Sequence, residues 1–246
     1  MHERNLFTRR TILAGASAAA LAAALGEVLP AGTALGADKP KKGGSLTYAV
    51  LVVNSKHKSL KMAKHPYYGI EDRTKNTYNT LTWVDHDLEV QPELATKWEA
   101  VSDDQTVWEV DIRDGVKFHD GRELTVEDVV SSYNFHKDPT VGSSFVKKML
   151  AKVEKAGPSK VRFYLQTPNS EFGWWAAEYR QVIMPAADFE TIGVDGIGTG
   201  PFKFARIDPQ RRMVYEANED YWSEGPYLEK LEVVAQSGMG PAMNGY

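Results

Sequence analysis

The sequence predicts a mixed α/β fold in which strands and helices alternate along the chain, and three stretches carry this prediction. Residues 45–53 begin with alternation and then become continuously apolar, a pattern typical of a strand buried on both faces. Residues 106–113 alternate strictly between apolar and polar side chains, which indicates a half-buried strand. A helix is expected after Thr125, because this residue can cap it and Glu127 and Asp128 place acidic side chains in its first turn.

The remaining elements follow from shorter patterns. Pro92 suits the first turn of a short helix over residues 91–95, and apolar spacing predicts another helix over 145–155. The apolar run at 182–185 indicates a short buried strand. Further strands are predicted at 160–166, 202–207, 212–217 and 231–235.

Composition is that of an ordinary globular protein. Of the 246 residues, 42% are apolar, 25% charged and 11% aromatic, so folding can bury ample apolar area, which argues against intrinsic disorder. The net charge is −4 and no long run of Lys or Arg occurs, which argues against a nucleic-acid partner. Since the sequence contains no cysteine, it offers no disulfide, zinc–thiolate site or thiol nucleophile.

Residues 1–36 have the pattern of an export signal. A basic stretch ends at Arg9 and Arg10, and residues 12–25 are then apolar or small and uncharged. That stretch spans about 21 Å as a helix, short of the hydrocarbon core of about 30 Å, so a signal peptide cleaved after Gly36 is favoured over a membrane anchor. The adjacent arginines resemble a twin-arginine signal, and a general secretory signal is the alternative. Either route predicts a periplasmic or other extracytoplasmic location.

No arrangement of residues predicts catalysis. His119 and Asp120 stand together as in a metal-dependent hydrolase, yet Asp120 and Gly121 form a turn signal and no further ligand has a suitable spacing. The glycines at 193–200 lack the spacing and the Lys–Ser/Thr ending of a phosphate-binding loop, and no Gly-x-Ser-x-Gly motif occurs. We therefore expect a protein that is not an enzyme and that uses neither a metal nor a cofactor.

A binding role is better supported, by a group of aromatic residues. Phe172, Trp174, Trp175 and Tyr179 lie within eight residues of one another, and Arg180 adjoins them. Aromatic walls with one guanidinium suit a small organic solute that carries a carboxylate, through stacking and a bidentate hydrogen bond. The alternative is that the two tryptophans are core residues and Arg180 an ordinary surface residue.

Three stretches of the sequence resemble one known family. The first reads Trp-Glu-Val-Asp-Ile-Arg-Asp-Gly-Val-Lys-Phe-His-Asp-Gly from residue 108 and continues with Leu-Thr-Val-Glu-Asp-Val-Val from residue 124. The second is Gly-Thr-Gly-Pro-Phe at 198–202, and the third is Glu-Ala-Asn-Glu-Asp-Tyr-Trp at 216–222. Together with Leu94, Ala95 and Trp98, they resemble the family 5 extracytoplasmic solute-binding proteins, the peptide- and nickel-binding class that feeds ABC importers.

The resemblance implies a periplasmic-binding-protein-like fold of type II, in which two lobes close over a solute. By this resemblance residues 37–65 begin the core of the first lobe, residues 66–190 form an inserted subdomain, and residues 191–246 return to the core. The second lobe is expected to be missing, so that the chain represents a truncated first lobe. Since solutes of this family lie between the lobes, we expect weak binding or none.

The resemblance also implies partners and part of the site. A monomeric protein would capture a small, most simply peptide-like solute and deliver it to ABC permease subunits in the membrane. Some peptide-binding members have an aromatic ligand residue where this chain has Ser131, and nickel-type members place a cleft arginine near Arg180. The candidate ligand-binding set is Asn54, Ser131, Trp174, Trp175, Tyr179 and Arg180. The alternatives are a sugar, opine or metal chelate as the solute, or an exported hydrolase on a similar scaffold.

Overall fold

The computed structural model describes residues 40–51, 70–140, 143–186, 196–208 and 212–236. Within them helices and strands alternate along the chain, which confirms the predicted mixed α/β class. The helices are α1 (Ile70–Thr77), α2 (Val126–Lys137), α3 (Ser144–Met149) and α4 (Phe172–Ala176). The strands are β1 (Ser45–Leu51), β2 (Thr82–Val84), β3 (Val90–Pro92), β4 (Ala95–Ala100), β5 (Val107–Ile112), β6 (Leu150–Gly157), β7 (Lys160–Leu165), β8 (Phe202–Asp208), β9 (Arg212–Ala217) and β10 (Lys230–Gln236). None of the described helices is long and apolar enough to cross a membrane.

One sheet joins the two ends of the described chain, with the strand order β1-β10-β9-β8. β1 runs parallel to β10, with Ser45 opposite Lys230, whereas β10, β9 and β8 pair antiparallel. Parallel neighbours need a long connection, and here all other elements lie between the two strands in sequence. The buried cluster of this sheet is Phe202, Met213, Tyr215, Leu231 and Val233.

The first strand is not buried on both faces, in contrast to its prediction. Tyr48 and Val50 pack against the buried cluster, but Leu46 is 47% exposed and Thr47 and Ala49 are also exposed. Residues 47–50 alternate with period two, because a strand directs successive side chains to opposite faces, whereas Leu46 is exposed although it shares the face of Tyr48 and Val50. Residues 52 and 53 lie outside the described residues.

A second sheet is wholly antiparallel, with the strand order β4-β5-β7-β6. The alternation predicted for residues 106–113 is confirmed in β5, where Trp108, Val110 and Ile112 are buried and their neighbours are partly exposed. On the more exposed face, Glu109 pairs with Arg162 of β7 at 2.6 Å. The burial of the apolar side chains and the ion pair on the opposite face therefore both fit the register in which β5 pairs with β7.

The predicted cap of α2 is confirmed. The Asp128 amide donates to the Thr125 hydroxyl at 3.4 Å, and the Thr125 amide donates to the Asp128 carboxylate at 2.7 Å. This reciprocal arrangement satisfies two backbone donors at the start of the helix. Val129 and Tyr133 are fully buried in the core that α2 shares with the second sheet.

Two of the predicted helices are wrong, one wholly and one in part. Pro92 ends β3, which pairs with β2, and starts no helix. Residues 145–155 form α3 followed by β6. Leu150 and Val153 are buried at a spacing of three that suggests a helix, but a β-bulge between Leu150 and Lys152 brings both onto one face of a strand. The predicted domain boundaries at 65/66 and 190/191 fall outside the described residues and stay a prediction.

Candidate functional site

The segment 182–186 follows the predicted aromatic group and lies along α2. Residues 182–185 are buried, as predicted, but they join no sheet of the described chain. Instead, three α2 side chains one turn apart bond the segment's backbone. The bonds join His136 Nε2 to Val182 O (2.8 Å), Ser132 Oγ to Met184 N and O (2.9 and 3.1 Å), and Asp128 Oδ1 to Ala186 N (2.6 Å).

The spacing of these bonds follows from the geometry of helix and strand. Four residues rise about 6.0 Å along a helix and two residues advance about 6.6 Å along an extended chain, so every fourth helical side chain meets every second backbone unit. The side chains of α2 therefore form hydrogen bonds with the backbone of the segment where an antiparallel neighbouring strand would otherwise do so. On the other side of the segment, the Ile183 amide donates to the Asn79 carbonyl at 2.9 Å. Burial lowers the pKa of His136 to about 4, so this imidazole is neutral and holds the segment as a hydrogen-bond donor.

Asn79 lies at the centre of a network that connects distant parts of the chain. Its Oδ1 accepts hydrogen bonds from Thr199 Oγ1 at 2.8 Å and from Trp222 Nε1 at 3.2 Å. Its Nδ2 donates to Glu93 Oε1 at 2.6 Å and to Tyr221 Oη at 3.4 Å. The Asn79 side chain therefore binds residues of both the second and the third stretch that carry the family resemblance. It also binds Glu93, the residue that precedes Leu94.

The glycines of the second stretch are required by close backbone contacts. A Cβ atom on Gly198 would lie 2.0 Å from the Thr77 carbonyl oxygen, and one on Gly200 would lie 2.5 Å from the Thr77 carbonyl carbon. His119 holds the same turn, because its Nε2 donates to Gly200 O at 3.0 Å and its Nδ1 accepts from Gly198 N at 3.3 Å. Both ring nitrogens of His119 are therefore occupied by backbone groups, consistent with a structural role.

A cavity of about 380 Å³ opens between α1, the β2–β3 ribbon and the segment that precedes residue 182. This volume is in the range of small-molecule sites. It combines aromatic rings with an ammonium and a carboxyl group. The lining residues are Thr74, Lys75, Tyr78, Thr80, Trp83, Val84, Glu93, Ala177, Tyr179 and Val182.

Glu93 has unusual electrostatics for a residue that borders a cavity. Burial raises its pKa to about 7, although hydrogen bonds from Asn79 and Thr80 act in the opposite direction. The Thr80 hydroxyl lies 2.8 Å from Glu93 Oε2 and 2.5 Å from the carbonyl of Thr82. A hydroxyl has one proton and the carbonyl can only accept, so both contacts are satisfied when Glu93 itself carries a proton. The geometry and the raised pKa therefore agree.

The structure distributes the predicted ligand-binding residues among different environments. Tyr179 lines the cavity, whereas Trp174 is 44% exposed and is not part of its lining. Trp175 is only 4% exposed and packs in the core, so it is a core residue and not a wall of a cleft. Arg180 forms an ion pair with Glu178 at 2.5 Å.

The other predicted residues lie apart from the cavity or outside the described chain. Ser131 is partly buried on α2, beside Ser132, and does not line the cavity. Asn54 and the export-signal residues Arg9 and Arg10 lie outside the described residues, so these predictions stand as they were made.

Of the ten residues that line the cavity, the predicted set includes Tyr179, and the residues that it missed include Lys75, Trp83 and Glu93. For Glu93 a signal was present, because it lies directly before Leu94 in a stretch that supports the family resemblance. For Trp83, the exposed fraction of 46% is a property of the fold and has no counterpart in the sequence pattern. Within the parts of the chain that the structure describes, no three His, Asp or Glu side chains are grouped as a metal site would require.

The chain belongs to the bacterial extracellular solute-binding proteins of family 5. A sequence profile described as "Bacterial extracellular solute-binding proteins, family 5 Middle" matches residues 89–237. The match includes all three stretches that carry the resemblance, and it confirms that interpretation. Members of this family are solute-binding components of transporters and not enzymes.

Relatives and solved structures agree with this family. The chain is 33% identical over 207 residues to the oligopeptide-binding protein AppA of Bacillus subtilis (strain 168), covering 79% of this chain and 37% of that protein. The structure of AppA from Bacillus subtilis in complex with a nonapeptide superposes with a TM-score of 0.70 at 30% identity, covering 83% of this chain and 42% of that one. AgaA from A. tumefaciens R10 in complex with agropinic acid gives a TM-score of 0.71 at 28% identity, covering 82% and 41%.

These superpositions confirm the predicted periplasmic-binding-protein fold of type II. The chain spans about two fifths of the length of the relatives that it matches. The superposition therefore does not cover the contacts that those proteins make through the rest of their length.

Proposed function

We propose that this protein captures a small organic solute, most simply a peptide, outside the cytoplasm and delivers it to an ABC permease. The observation that carries this proposal is the family match over residues 89–237. It is supported by relatives named as oligopeptide-binding and dipeptide-binding proteins, at 33% and 30% identity. A signal peptide over residues 1–36 with Arg9 and Arg10, a monomeric state and the permease partner are parts of the same proposal.

The cavity beside Tyr179 is the proposed solute contact of this part of the protein. Its wall offers the Tyr179 and Trp83 rings for stacking, and the Lys75 ammonium and the Glu93 carboxyl as charged or polar ends. A peptide-like solute carries an amino group, a carboxylate and apolar side chains, and this set of groups can meet each of them. Trp174, Arg180, Ser131 and Asn54 remain proposed contacts with solute when the cleft is closed.

A non-peptide solute is the second candidate, and one observation favours it. A structural neighbour at 28% identity is described in complex with agropinic acid, so a family neighbour of similar fold binds an opine. The same cavity groups suit a carboxylate-bearing opine. The two candidates differ in whether a free amino group beside the carboxylate is required.

Binding to this chain can be measured by NMR chemical-shift perturbation with di- to nonapeptides and with an opine. We expect saturable, weak binding with a Kd of about 0.1–1 mM, because this chain spans about two fifths of the length of the solute-binding relatives that it matches. Tyr179→Ala should weaken binding about tenfold, while Leu46→Ala, at an exposed position of β1, should leave it unchanged.

The outcomes separate the possible functions. Peptide binding that is insensitive to Tyr179→Ala would remove the cavity from the proposal, and saturation by no solute would overturn it. Preference for the opine over all peptides would favour the second candidate. Mass spectrometry of the recovered peptides tests the hydrolase alternative, since cleavage in proportion to protein concentration would support an enzyme.

A further inference from the structure

A second recess lies on the other side of Trp83 and Glu93 from the cavity just described. It measures about 450 Å³ and includes the end of the third family stretch in its wall. The two recesses share Trp83 and Glu93 and no other lining residue. The remaining residues that line the second recess are Pro92, Arg113, Tyr221, Trp222 and Ser223.

Arg113 is the cationic group of this recess, and it is fixed by two contacts. Its Nε donates to the Glu93 carbonyl at 2.9 Å, and its guanidinium lies 4.7 Å from the centre of the Trp222 ring. Stacking on a ring fixes the plane of a guanidinium and leaves its edge free to donate. Among the described residues, none forms a hydrogen bond or ion pair with the two terminal nitrogens of Arg113.

Flat apolar surfaces surround this cation. Trp83 is 46% exposed, which is high for a tryptophan of a folded domain, and Trp222 is partly exposed. Burial raises the pKa of Tyr221, so its hydroxyl keeps its proton, and the nearby Arg113 guanidinium only partly opposes this shift. The recess therefore combines a planar two-donor cation with aromatic walls and a phenolic hydroxyl.

The one acidic group of the wall, Glu93, is largely uncharged below neutral pH and then does not oppose an anion. Glu93 accepts hydrogen bonds from Asn79 and Thr80, and the Thr80 contact is best satisfied when Glu93 carries a proton. The other charged groups that act on Glu93 and its neighbours are Lys75 of α1 and Arg113, and both are cations. The local balance of charge is therefore positive when Glu93 is protonated.

We propose that the recess beside Arg113 is a binding site for a small carboxylate that carries a flat apolar group. The carboxylate accepts two hydrogen bonds from the terminal nitrogens of Arg113, and the flat group lies against Trp83 and Trp222. This site goes beyond the solute contact beside Tyr179, because its cation, its hydroxyl and one of its two rings belong to the second recess alone.

The test uses indole-3-acetate and phenylacetate as probes, with indole-3-acetamide as the matched uncharged analogue. Isothermal titration calorimetry of the folded chain at pH 6.5 should show saturable binding of at least one acid, and the amide should bind about tenfold more weakly. Equal affinity for acid and amide, or no saturation by either acid, overturns the proposal.

Three variants locate the site. Arg113→Gln should weaken binding of the acid about tenfold and leave binding of the amide nearly unchanged. Ser223→Trp fills the recess from an exposed position and should abolish binding of the acid without disturbing the fold. Phe145→Ala, at an exposed ring of α3 that lines neither recess, serves as the control and should bind the acid as the parent does.

The variants also keep the proposal open to refutation if Arg113→Gln destabilises the fold. In that event, acid binding by Ser223→Trp and the comparison of acid with amide still test the proposed site. A folded Ser223→Trp protein that retains acid binding overturns the assignment of the site. Peptide binding beside Tyr179 is measured separately, so failure of one site leaves the test of the other intact.

Discussion

Replacing Glu93 by Gln is expected to change how stability depends on pH, and the magnitude follows from the structure. Burial raises the pKa of Glu93 from 4.5 to about 7. Between these values the folded chain retains a proton that the unfolded chain has released, so stability falls as the pH rises through this window. Each pKa unit corresponds to about 1.36 kcal/mol, which gives a loss of about 3 kcal/mol that is complete above pH 7.

His136 acts in the opposite direction over nearly the same window. Burial lowers its pKa from 6.5 to about 4, so between these values the unfolded chain binds a proton that the folded chain excludes. This contribution makes stability rise with pH by about 3 kcal/mol between pH 4 and 6.5. Burial also lowers the pKa of His119, which adds to the same trend. The parent protein should therefore show a nearly flat or gently rising profile between pH 4.5 and 6.5.

The assay is urea unfolding followed by tryptophan fluorescence at pH 5 and pH 8, for the parent and for Glu93→Gln. The amide of Gln has only one oxygen to accept from both Asn79 Nδ2 and the Thr80 amide, so the variant should be less stable at pH 5 by about 1–2 kcal/mol. Between pH 5 and pH 8 the difference between parent and variant should move by about 3 kcal/mol in favour of the variant.

Glu109→Gln is the matched control, since Arg162 and Lys160 hold the pKa of Glu109 below its usual value. Its effect on stability should be the same at both pH values. If the difference between parent and Glu93→Gln stays constant from pH 5 to pH 8, then Glu93 is ionised throughout in the folded state and the reasoning from burial and from the Thr80 hydroxyl is wrong.

Three further predictions concern stability alone. Trp175→Ala should lower the free energy of unfolding by about 3–5 kcal/mol and Trp174→Ala by less than about 1 kcal/mol, measured by urea unfolding; similar values for both would contradict their assigned burial. Gly200→Ala should cost about 3 kcal/mol, because its Cβ would meet the Thr77 backbone; an unchanged melting temperature would refute that contact. Ser132→Ala should cost about 2 kcal/mol by leaving Met184 N and O unpaired, and hydrogen exchange at Met184 should accelerate; protection equal to the parent's would contradict the pairing.

Much of the local structure could be predicted because it depends on short sequence patterns. Strict alternation identified β5, and Thr125 with Asp128 identified the start of α2, since both signals depend on residues close in sequence. The prediction failed where a distant partner decides. Leu150 and Val153 have a helical spacing, and only the bulged pairing of β6 with β7 makes them neighbours on a strand.

The site was less predictable for the same reason. Tyr179, one of the predicted ligand residues, lines the cavity, whereas Trp175 in the same short stretch points into the core. Which of two adjacent aromatic residues faces a cavity depends on how α4 packs, and composition does not contain that information. Glu93 gains its raised pKa from burial and from Asn79 and Thr80, which only the folded chain brings around it.

The network around Asn79 has a consequence for how solute specificity can diverge in this family. Side chains of the second and third stretches that identify the family form hydrogen bonds with Asn79 there, through Thr199, Tyr221 and Trp222. None of these side chains lines the cavity beside Tyr179, where the transported solute is proposed to bind. Substitutions in the cavity wall, such as at Trp83 and Tyr179, can therefore change which solute is bound without disrupting the hydrogen bonds of Asn79. A sequence signature of this kind identifies the fold and not the solute, in agreement with the similar folds of neighbours described in complex with a nonapeptide and with agropinic acid.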